Sequence, residues 1–277
     1  MFTKKLLSLL AAAALMLVGA VAAADTVTVK GSDTMVILGQ RWAEEFMKRY
    51  PQTQVQVTGG GSGTGISALI NGTTDICQSS RTMKQSEKEN LRTRFATPGV
   101  EIAVARDGVS VYVNESSPLT ELTLGQLKLI FTGKTTNWSD VGGRDSKIVV
   151  YSRENSSGTY VFFKEEVLKD ADYTPRAQTL PGTAAVVNAV AREKYGVGYG
   201  GAAYAKGIRI LKLKRDASSP AVAPDNDTVQ SGSYPLARPL FFYLRSKPSG
   251  DIKTFVDYVL SQEGQEIVTK VGYYPIK

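Results

Sequence analysis

The sequence predicts an α/β protein whose sheet is mostly parallel. Short runs of alternating apolar residues, which are typical of strands, are followed by runs with apolar residues every three or four positions, which are typical of amphipathic helices. This order repeats along the chain, and strands that alternate with helices form parallel sheets with helical crossovers. Clusters of Gly, Ser and Thr follow several strands. We therefore expect a ligand cleft, because ligands bind beyond the carboxyl ends of such strands.

The first part of the chain predicts strands and helices in strict alternation. Pro51 helps to end the first helix, and Asn71-Gly72 turns the chain into the third strand. In chain order we expect a strand at 26–29, a helix with the apolar stripe Leu38, Trp42, Phe46 and Tyr50, a strand around Val55 and Val57, a short helix with Ile66, Leu69 and Ile70, and a strand at 75–78.

The second part opens with an extended run from Glu101 to Asn114, broken at Gly108, which is long enough to carry the chain from one domain to another. Thr123 and Gln126 form a capping-box pair, so a helix is predicted to start there. We further expect a strand at 148–150, helices at 161–168 and 183–194, strands at 196–201 and 208–213, an exposed loop at 216–227, a returning extended run at 234–244 and a helical tail at 252–271.

Composition excludes several kinds of site. The 277 residues carry a net charge of +7, no histidine and one cysteine, Cys77. A single cysteine cannot form an intramolecular disulfide, and its apolar context predicts a buried side chain. The absence of histidine removes the commonest general base and nearly all zinc sites. We expect no metal and no cofactor.

The N-terminus has the pattern of an export signal. Lys4 and Lys5 precede an apolar run at 6–23, and Ala22 to Ala24 supply small residues before Asp25. This predicts a secretory signal peptide, residues 1–24, cleaved before Asp25. A membrane anchor is the alternative. N-terminal sequencing of the exported protein should find Asp25 first, and finding Met1 would contradict the prediction.

Four clusters of small polar residues follow four predicted strands. They are Ser32 to Thr34, Ser62 to Thr64, Ser79 to Arg81, and Ser156 to Thr159. Hydroxyls, the free N–H groups of helix starts and the cations Arg81 and Arg153 would line one cleft that suits a small tetrahedral oxyanion. Helix capping is the alternative for each cluster, since Ser and Thr begin helices generally.

The glycine-rich run at 59–65 has neither a phosphate-loop lysine nor a dinucleotide fingerprint. Close approach of the backbone to a ligand or a flexible turn would explain it.

These residues resemble the PstS family, the phosphate-binding components of ABC phosphate importers. The resemblance spans the whole chain after the signal. Its most specific pieces are Leu122 to Lys134 with Asn137-Trp138, Arg153 with Ser156 to Thr159, Tyr234 to Pro239, Leu260 to Gln265, and Gly272 to Pro275.

The resemblance implies a type II periplasmic binding protein, with two α/β lobes that close over the ligand by a hinge. It implies lobe one at 25–104 plus 239–277 and lobe two at 105–238. The family's usual aspartate, which accepts the proton of hydrogen phosphate, is replaced here by Ser80, so the group that reads that proton stays open. The candidate phosphate-binding residues are Ser32, Asp33, Thr34, Ser62, Ser80, Arg81, Arg153, Ser156, Ser157, Gly158 and Thr159.

The expected function is capture of phosphate outside the cytoplasmic membrane, in the periplasm, without catalysis. The expected partners are a permease and an ATPase, and we expect a monomer. Another oxyanion such as sulfate, molybdate or tungstate is the first alternative, and a hydrolase with a serine nucleophile and a lysine base is the second. No nucleic-acid partner is expected, because the basic residues are interspersed with acidic ones. For Asp33 two roles stay open, a helix N-cap and acceptance of the phosphate proton.

Overall fold

The structure, a computed structural model, describes residues 26–276. The predicted signal peptide, residues 1–24, lies outside them. The strands are β1 Thr26–Gly31, β2 Gln54–Thr58, β3 Ile76–Ser79, β4 Val100–Val113, β5 Glu121–Thr123, β6 Val149–Arg153, β7 Gln178–Leu180, β8 Gly196–Gly201, β9 Arg209–Lys214 and β10 Ala237–Leu244. The helices are α1 Val36–Arg49, α2 Ser62–Asn71, α3 Gln85–Phe95, α4 Leu124–Phe131, α5 Gly158–Phe163, α6 Gly182–Arg192, α7 Asn226–Ser231, α8 Gly250–Leu260 and α9 Gln262–Val271.

The strands form a mixed sheet in the order β2-β1-β3-β10-β4-β8-β6-β7, with β9 beside β4 and β5. Outer neighbours are parallel, since β1 pairs with β2 and β3, and β6 pairs with β7 and β8. The central strands β10 and β4 are antiparallel to each other and to β3 and β8. The α/β class is confirmed. The sheet contains more antiparallel pairing than a simple alternation of strands and helices implies, because β4 and β10 run between its halves in opposite directions.

A large hydrophobic core fills each half of the molecule. The first packs α1, α8 and α9 against β1 to β3, with Trp42, Phe46 and Phe255 fully buried. The second is built around Phe131 and Phe163, whose rings meet edge to face at 4.8 Å. Separate cores give the fold two lobes, as in two-lobed periplasmic binding proteins. The limits expected for them, 25–104 plus 239–277 and 105–238, stay predictions.

Two strands carry the chain between these cores. Val104 of β4 belongs to the first core, whereas Val109 of the same strand belongs to the second. The extended run expected at 101–114 is therefore one long strand that joins the lobes. Its antiparallel partner is β10, in which Arg238 lies directly opposite Asp107. The crossing strands thus bring these two residues together at the hinge.

Local signals identified most helices but misplaced some boundaries. The capping box is confirmed, with the Gln126 N–H donating to Thr123 Oγ1 over 3.0 Å. The helix expected at 161–168 begins earlier, at Gly158, and becomes a π-helix at Lys164–Leu168. Helix α3 was not predicted, because Leu91 is its one buried residue and no apolar stripe marks it. No helix among residues 26–276 is long and apolar enough to cross a membrane.

Candidate functional site

Serine hydroxyls from separate strand ends lie together in the first lobe. Ser32 follows β1, Ser62 begins α2 and Ser80 follows β3, and all are buried. The Ser32 hydroxyl donates to Ser80 Oγ over 2.9 Å, and Ser80 Oγ lies 3.3 Å from Ser62 Oγ. The Ser80 backbone N–H donates to Ser62 Oγ over 3.1 Å. Parallel strands that end at one sheet edge bring these distant positions together, as expected.

The second lobe meets these serines at the start of α5. Thr34 Oγ1 and Thr159 Oγ1 are 2.9 Å apart across the cleft. The Gly63 N–H donates to the Ser156 carbonyl over 2.9 Å, so the glycine-rich run approaches the opposite lobe through its backbone. We call the following residues the hydroxyl cluster: Ser32, Thr34, Ser62, Ser80 and Thr159.

Gly158 lies in close contact with the serines of the first lobe. A Cβ at this position would lie 2.4 Å from Ser62 Oγ and 2.7 Å from Ser80 Oγ. Such distances are too short for a methyl group, so only glycine allows this approach. The neighbouring Ser157 hydroxyl accepts the Tyr160 N–H over 3.3 Å and caps α5. The start of α5, where backbone N–H groups lack helical partners, therefore lies against the hydroxyl cluster.

Arg153, one of the two cations predicted for the site, is almost fully buried, with 1% exposed. It is the last residue of β6 rather than a loop residue. Its Nη1 donates to Thr183 Oγ1 over 3.0 Å, and its Nη2 donates to Asp33 Oδ2 over 2.8 Å. Its Nε has no hydrogen-bond partner among the described residues. Burial lowers the pKa of the Arg153 guanidinium, and Asp33 acts against that shift. An anion in contact would compensate a cation buried in this way.

Asp33 does not cap a helix, so this interpretation was wrong. It is the first residue of a 3₁₀ turn, Asp33–Met35, and no side chain caps that turn in the described structure. Its carboxylate has other partners instead: Oδ2 accepts from Arg153 across the cleft, and Oδ1 accepts the Gly60 N–H of the same lobe over 2.7 Å. Its backbone carbonyl accepts the Tyr204 hydroxyl over 2.7 Å. The carboxylate is therefore occupied by a guanidinium donor from the second lobe and a backbone donor from the first, rather than by the N–H groups of a helix start.

Arg81, one of the expected cations, is engaged elsewhere. Its Nη1 and Nη2 donate to the two carboxylate oxygens of Glu87 over 2.8 and 2.7 Å. Glu87 lies in the first turn of the unpredicted helix α3. Bidentate pairs of this kind are strong and fix the guanidinium. Arg81 therefore stands apart from the hydrogen bonds that hold the hydroxyl cluster.

The structure brings in Arg238 and Asp107, which the sequence analysis did not select. Arg238 Nη2 donates to Thr159 Oγ1 over 2.9 Å, and Nη1 donates to the Ser80 carbonyl over 2.9 Å. Nη2 also donates to Asp107 Oδ2 over 2.8 Å. Both residues are buried. A signal did exist, since Arg238 lies in the Tyr234 to Pro239 segment that carries the family resemblance.

The arrangement suits binding of a small oxyanion. Buried hydroxyls, the N-terminus of α5 and two guanidinium groups converge from both lobes, and all of these favour negative charge. The hydroxyls of the three clustered serines contact one another rather than a base. Within residues 26–276, no group of three or more acidic or cysteine side chains could hold a metal ion.

A separate cavity of about 220 Å³ lies in the second lobe, away from these residues. Thr135, Lys147, Thr174 and Arg176 are among its lining residues, and no candidate phosphate-binding residue lines it. The converging polar groups, rather than the size of a cavity, therefore identify the site.

Sequence comparison relates this chain to phosphate-binding proteins. Residues 19–263 match the PBP superfamily domain. The phosphate-binding protein PstS of Pseudomonas aeruginosa is 32% identical over 263 residues, which cover 89% of this chain and 81% of that protein. PstS of Staphylococcus epidermidis is 34% identical over 249 residues, covering 85% of this chain and 74% of that protein.

Solved structures share the architecture. An ABC transporter substrate-binding protein from Clostridium perfringens, crystallised with bound phosphate, aligns with a TM-score of 0.83 at 30% identity. The alignment covers 91% of this chain and 100% of that one. An ABC-type phosphate transport receptor from Vibrio cholerae aligns with a TM-score of 0.72 at 29% identity, covering 90% and 99% of the two chains.

Proposed function

This chain belongs to the PstS family of phosphate-binding proteins within the PBP superfamily, and we propose that it captures inorganic phosphate between its lobes and delivers it to an ABC importer. It acts by binding and release, without catalysis. Its partners on this proposal are the permease and ATPase subunits of the importer, and it works as a monomer.

One observation carries the proposal. The buried hydroxyl cluster, with Arg153 beside it, is assembled from both lobes, so a ligand there would contact both lobes at once. A tetrahedral oxyanion offers acceptors in all directions, and such an anion would hold the lobes together through charge-assisted hydrogen bonds. The similar protein from Clostridium perfringens was crystallised with bound phosphate, which supports phosphate as the anion.

Calorimetric titration of the purified protein with phosphate, sulfate and molybdate tests the proposal. Phosphate should bind much more tightly than the other two anions. Preference for sulfate or molybdate would favour the alternative oxyanion, and no binding of any anion would reject the proposal. Tryptophan fluorescence is a poorer probe, since Trp42 and Trp138 are buried and donate to the backbone carbonyls of Gly264 and Tyr195, outside the cluster.

Export completes the proposed function. The basic and apolar pattern at residues 4–24 supports a cleaved signal peptide and a periplasmic location. The net positive charge of the chain favours attraction of anions.

Asp33→Asn tests whether Asp33 reads the phosphate proton. A carboxylate accepts the proton of hydrogen phosphate but repels fully ionised sulfate, so its loss should lower the ratio of phosphate to sulfate affinity by about tenfold or more. Competitive calorimetry with both anions measures this ratio. Asp75→Asn is a matched control, because Asp75 also accepts a backbone N–H, from Thr28 over 2.8 Å, and pairs with an arginine outside the site.

An unchanged ratio in Asp33→Asn would remove Asp33 from this role. A hydroxyl such as that of Ser80 would then accept the phosphate proton instead, and it would discriminate against sulfate less strongly than a carboxylate does. If Asp75→Asn changed the ratio of phosphate to sulfate affinity by the same amount, the effect would come from loss of a negative charge anywhere on the protein rather than from the site.

A further inference from the structure

Arg238 occupies an unusual place for a buried cation. It lies on the crossing strand β10 and is only 3% exposed. Its Nε and Nη2 donate to Asp107 Oδ2 over 3.1 and 2.8 Å. Asp107 is its direct neighbour on β4, so both charges of this pair belong to the strands that join the lobes. The pair therefore forms the hinge side of the cleft.

The remaining contacts of Arg238 lead into the candidate site rather than away from it. Nη1 donates to the Ser80 carbonyl in lobe one, and Nη2 donates to Thr159 Oγ1 in lobe two. Thr159 Oγ1 in turn contacts Thr34 Oγ1 over 2.9 Å. One guanidinium thus touches candidate phosphate-binding residues of both lobes.

The hydrogen-bonding capacity of this pair is not exhausted by protein groups. Nη1 carries two N–H groups, and the Ser80 carbonyl is its one hydrogen-bond acceptor among residues 26–276. Asp107 Oδ1 is buried without a partner in the same range. Unpaired polar atoms in a buried place are costly. The ring of Phe162, whose centroid lies 5.1 Å from the guanidinium carbon, covers one face of Arg238.

A second cation near Arg153 would favour the binding of a multiply charged anion. Arg153 already shares its Nη2 with Asp33 and its Nη1 with Thr183. A multiply charged anion bound by Arg153 alone would meet the Asp33 and Asp107 carboxylates with too little positive charge. Arg238 approaches the same region, because it donates to Thr159 Oγ1, which contacts the hydroxyl of Thr34, the neighbour of Asp33 in the chain.

We infer that Arg238 binds phosphate directly, as a second guanidinium that reaches the ligand from the hinge strand and contacts it through Nη1. This assignment rests on the proposed function. Bound phosphate would then contact the crossing strand β10 as well as both lobes. Arg238 would thereby couple binding of phosphate to closure of the lobes.

Arg238→Lys tests the inference, because lysine keeps the charge but loses the planar fork. Phosphate affinity measured by calorimetry should fall by about tenfold or more. Arg81→Lys is the matched control: Arg81 is also a buried arginine with a carboxylate partner, but it lies outside the hydroxyl cluster. The Arg81→Lys variant should bind phosphate with an affinity within about twofold of wild type. Thermal unfolding of both variants measures how much stability each substitution costs.

A double-mutant cycle separates direct contact from positioning of Thr159. If Arg238 acted only by holding the Thr159 hydroxyl, Arg238→Lys would have no further effect in a Thr159→Val background. Direct contact predicts that most of the loss persists there. Near-normal affinity in Arg238→Lys, or complete loss of its effect in the Thr159→Val background, would overturn the inference.

A crystal structure of the wild-type protein with phosphate avoids the risk that a variant fails to fold. A phosphate oxygen within hydrogen-bond distance of Arg238 Nη1 would support the inference. Phosphate held in the cluster while Arg238 keeps only its protein partners would overturn the inference and leave the proposed function intact. Absence of phosphate binding by the wild-type protein in calorimetry would instead reject the proposed function itself.

Discussion

Arg153→Ala is expected to weaken phosphate binding by about 30- to 1,000-fold, or about 2–4 kcal/mol. The guanidinium is buried, and its Nε has no protein acceptor in the described chain, so an oxyanion in the cluster is its natural partner. Removing it also leaves the Asp33 carboxylate without its cation, which adds repulsion against any anion. Calorimetric titration with phosphate measures the loss.

The control for this change is Arg81→Ala, which removes another buried arginine and leaves Glu87 without its cation. Both variants should lose stability, because each removes a buried arginine that is paired with a carboxylate. Chemical denaturation gives the free energy of unfolding of each. Equal losses of phosphate affinity in the two variants, or a normal affinity in Arg153→Ala, would remove Arg153 from the site.

Gly158→Ala is expected to oppose closure of the cleft and to weaken phosphate binding by about 5- to 150-fold, the equivalent of about 1–3 kcal/mol of overpacking. The added methyl group would meet Ser62 Cβ at 3.0 Å as well as the hydroxyls of Ser62 and Ser80. A hydroxyl can rotate away, but a Cβ cannot. The clash arises between lobes, so the fold of each lobe should be unaffected.

Gly125→Ala is the matched control. Gly125 also lies in the first turn of a helix, α4, and the nearest atom to a Cβ there is Thr123 Oγ1 at an ordinary 3.7 Å. Small-angle scattering with saturating phosphate should show Gly158→Ala more extended than wild type, and Gly125→Ala indistinguishable from it. A compact, tightly binding Gly158→Ala protein would show that the lobes close over phosphate with more space than this structure allows.

Much of the candidate site could be predicted because strand ends are marked locally. Ser32, Ser62 and Ser80 each follow or begin an element that its own periodicity identifies, and a shared sheet edge brings them together. Arg81 shows the limit of that argument. Its position at a strand end suggested a ligand contact, but Glu87, six residues further along, captures the guanidinium. Since α3 has no apolar stripe, nothing local revealed that helix or its carboxylate.

By itself the sequence determined the α/β class, the order of most elements and the clusters of hydroxyl residues at the strand ends that suit an oxyanion. These features follow from hydrophobic periodicity and turn residues, which act over a few positions. The tertiary structure decided which partner each charge takes. Asp33 pairs with Arg153 across 120 positions of sequence, and Arg238 pairs with Asp107 across 131. Such choices depend on which acceptor or donor remains after both lobes are packed and desolvated, and no local pattern encodes that competition.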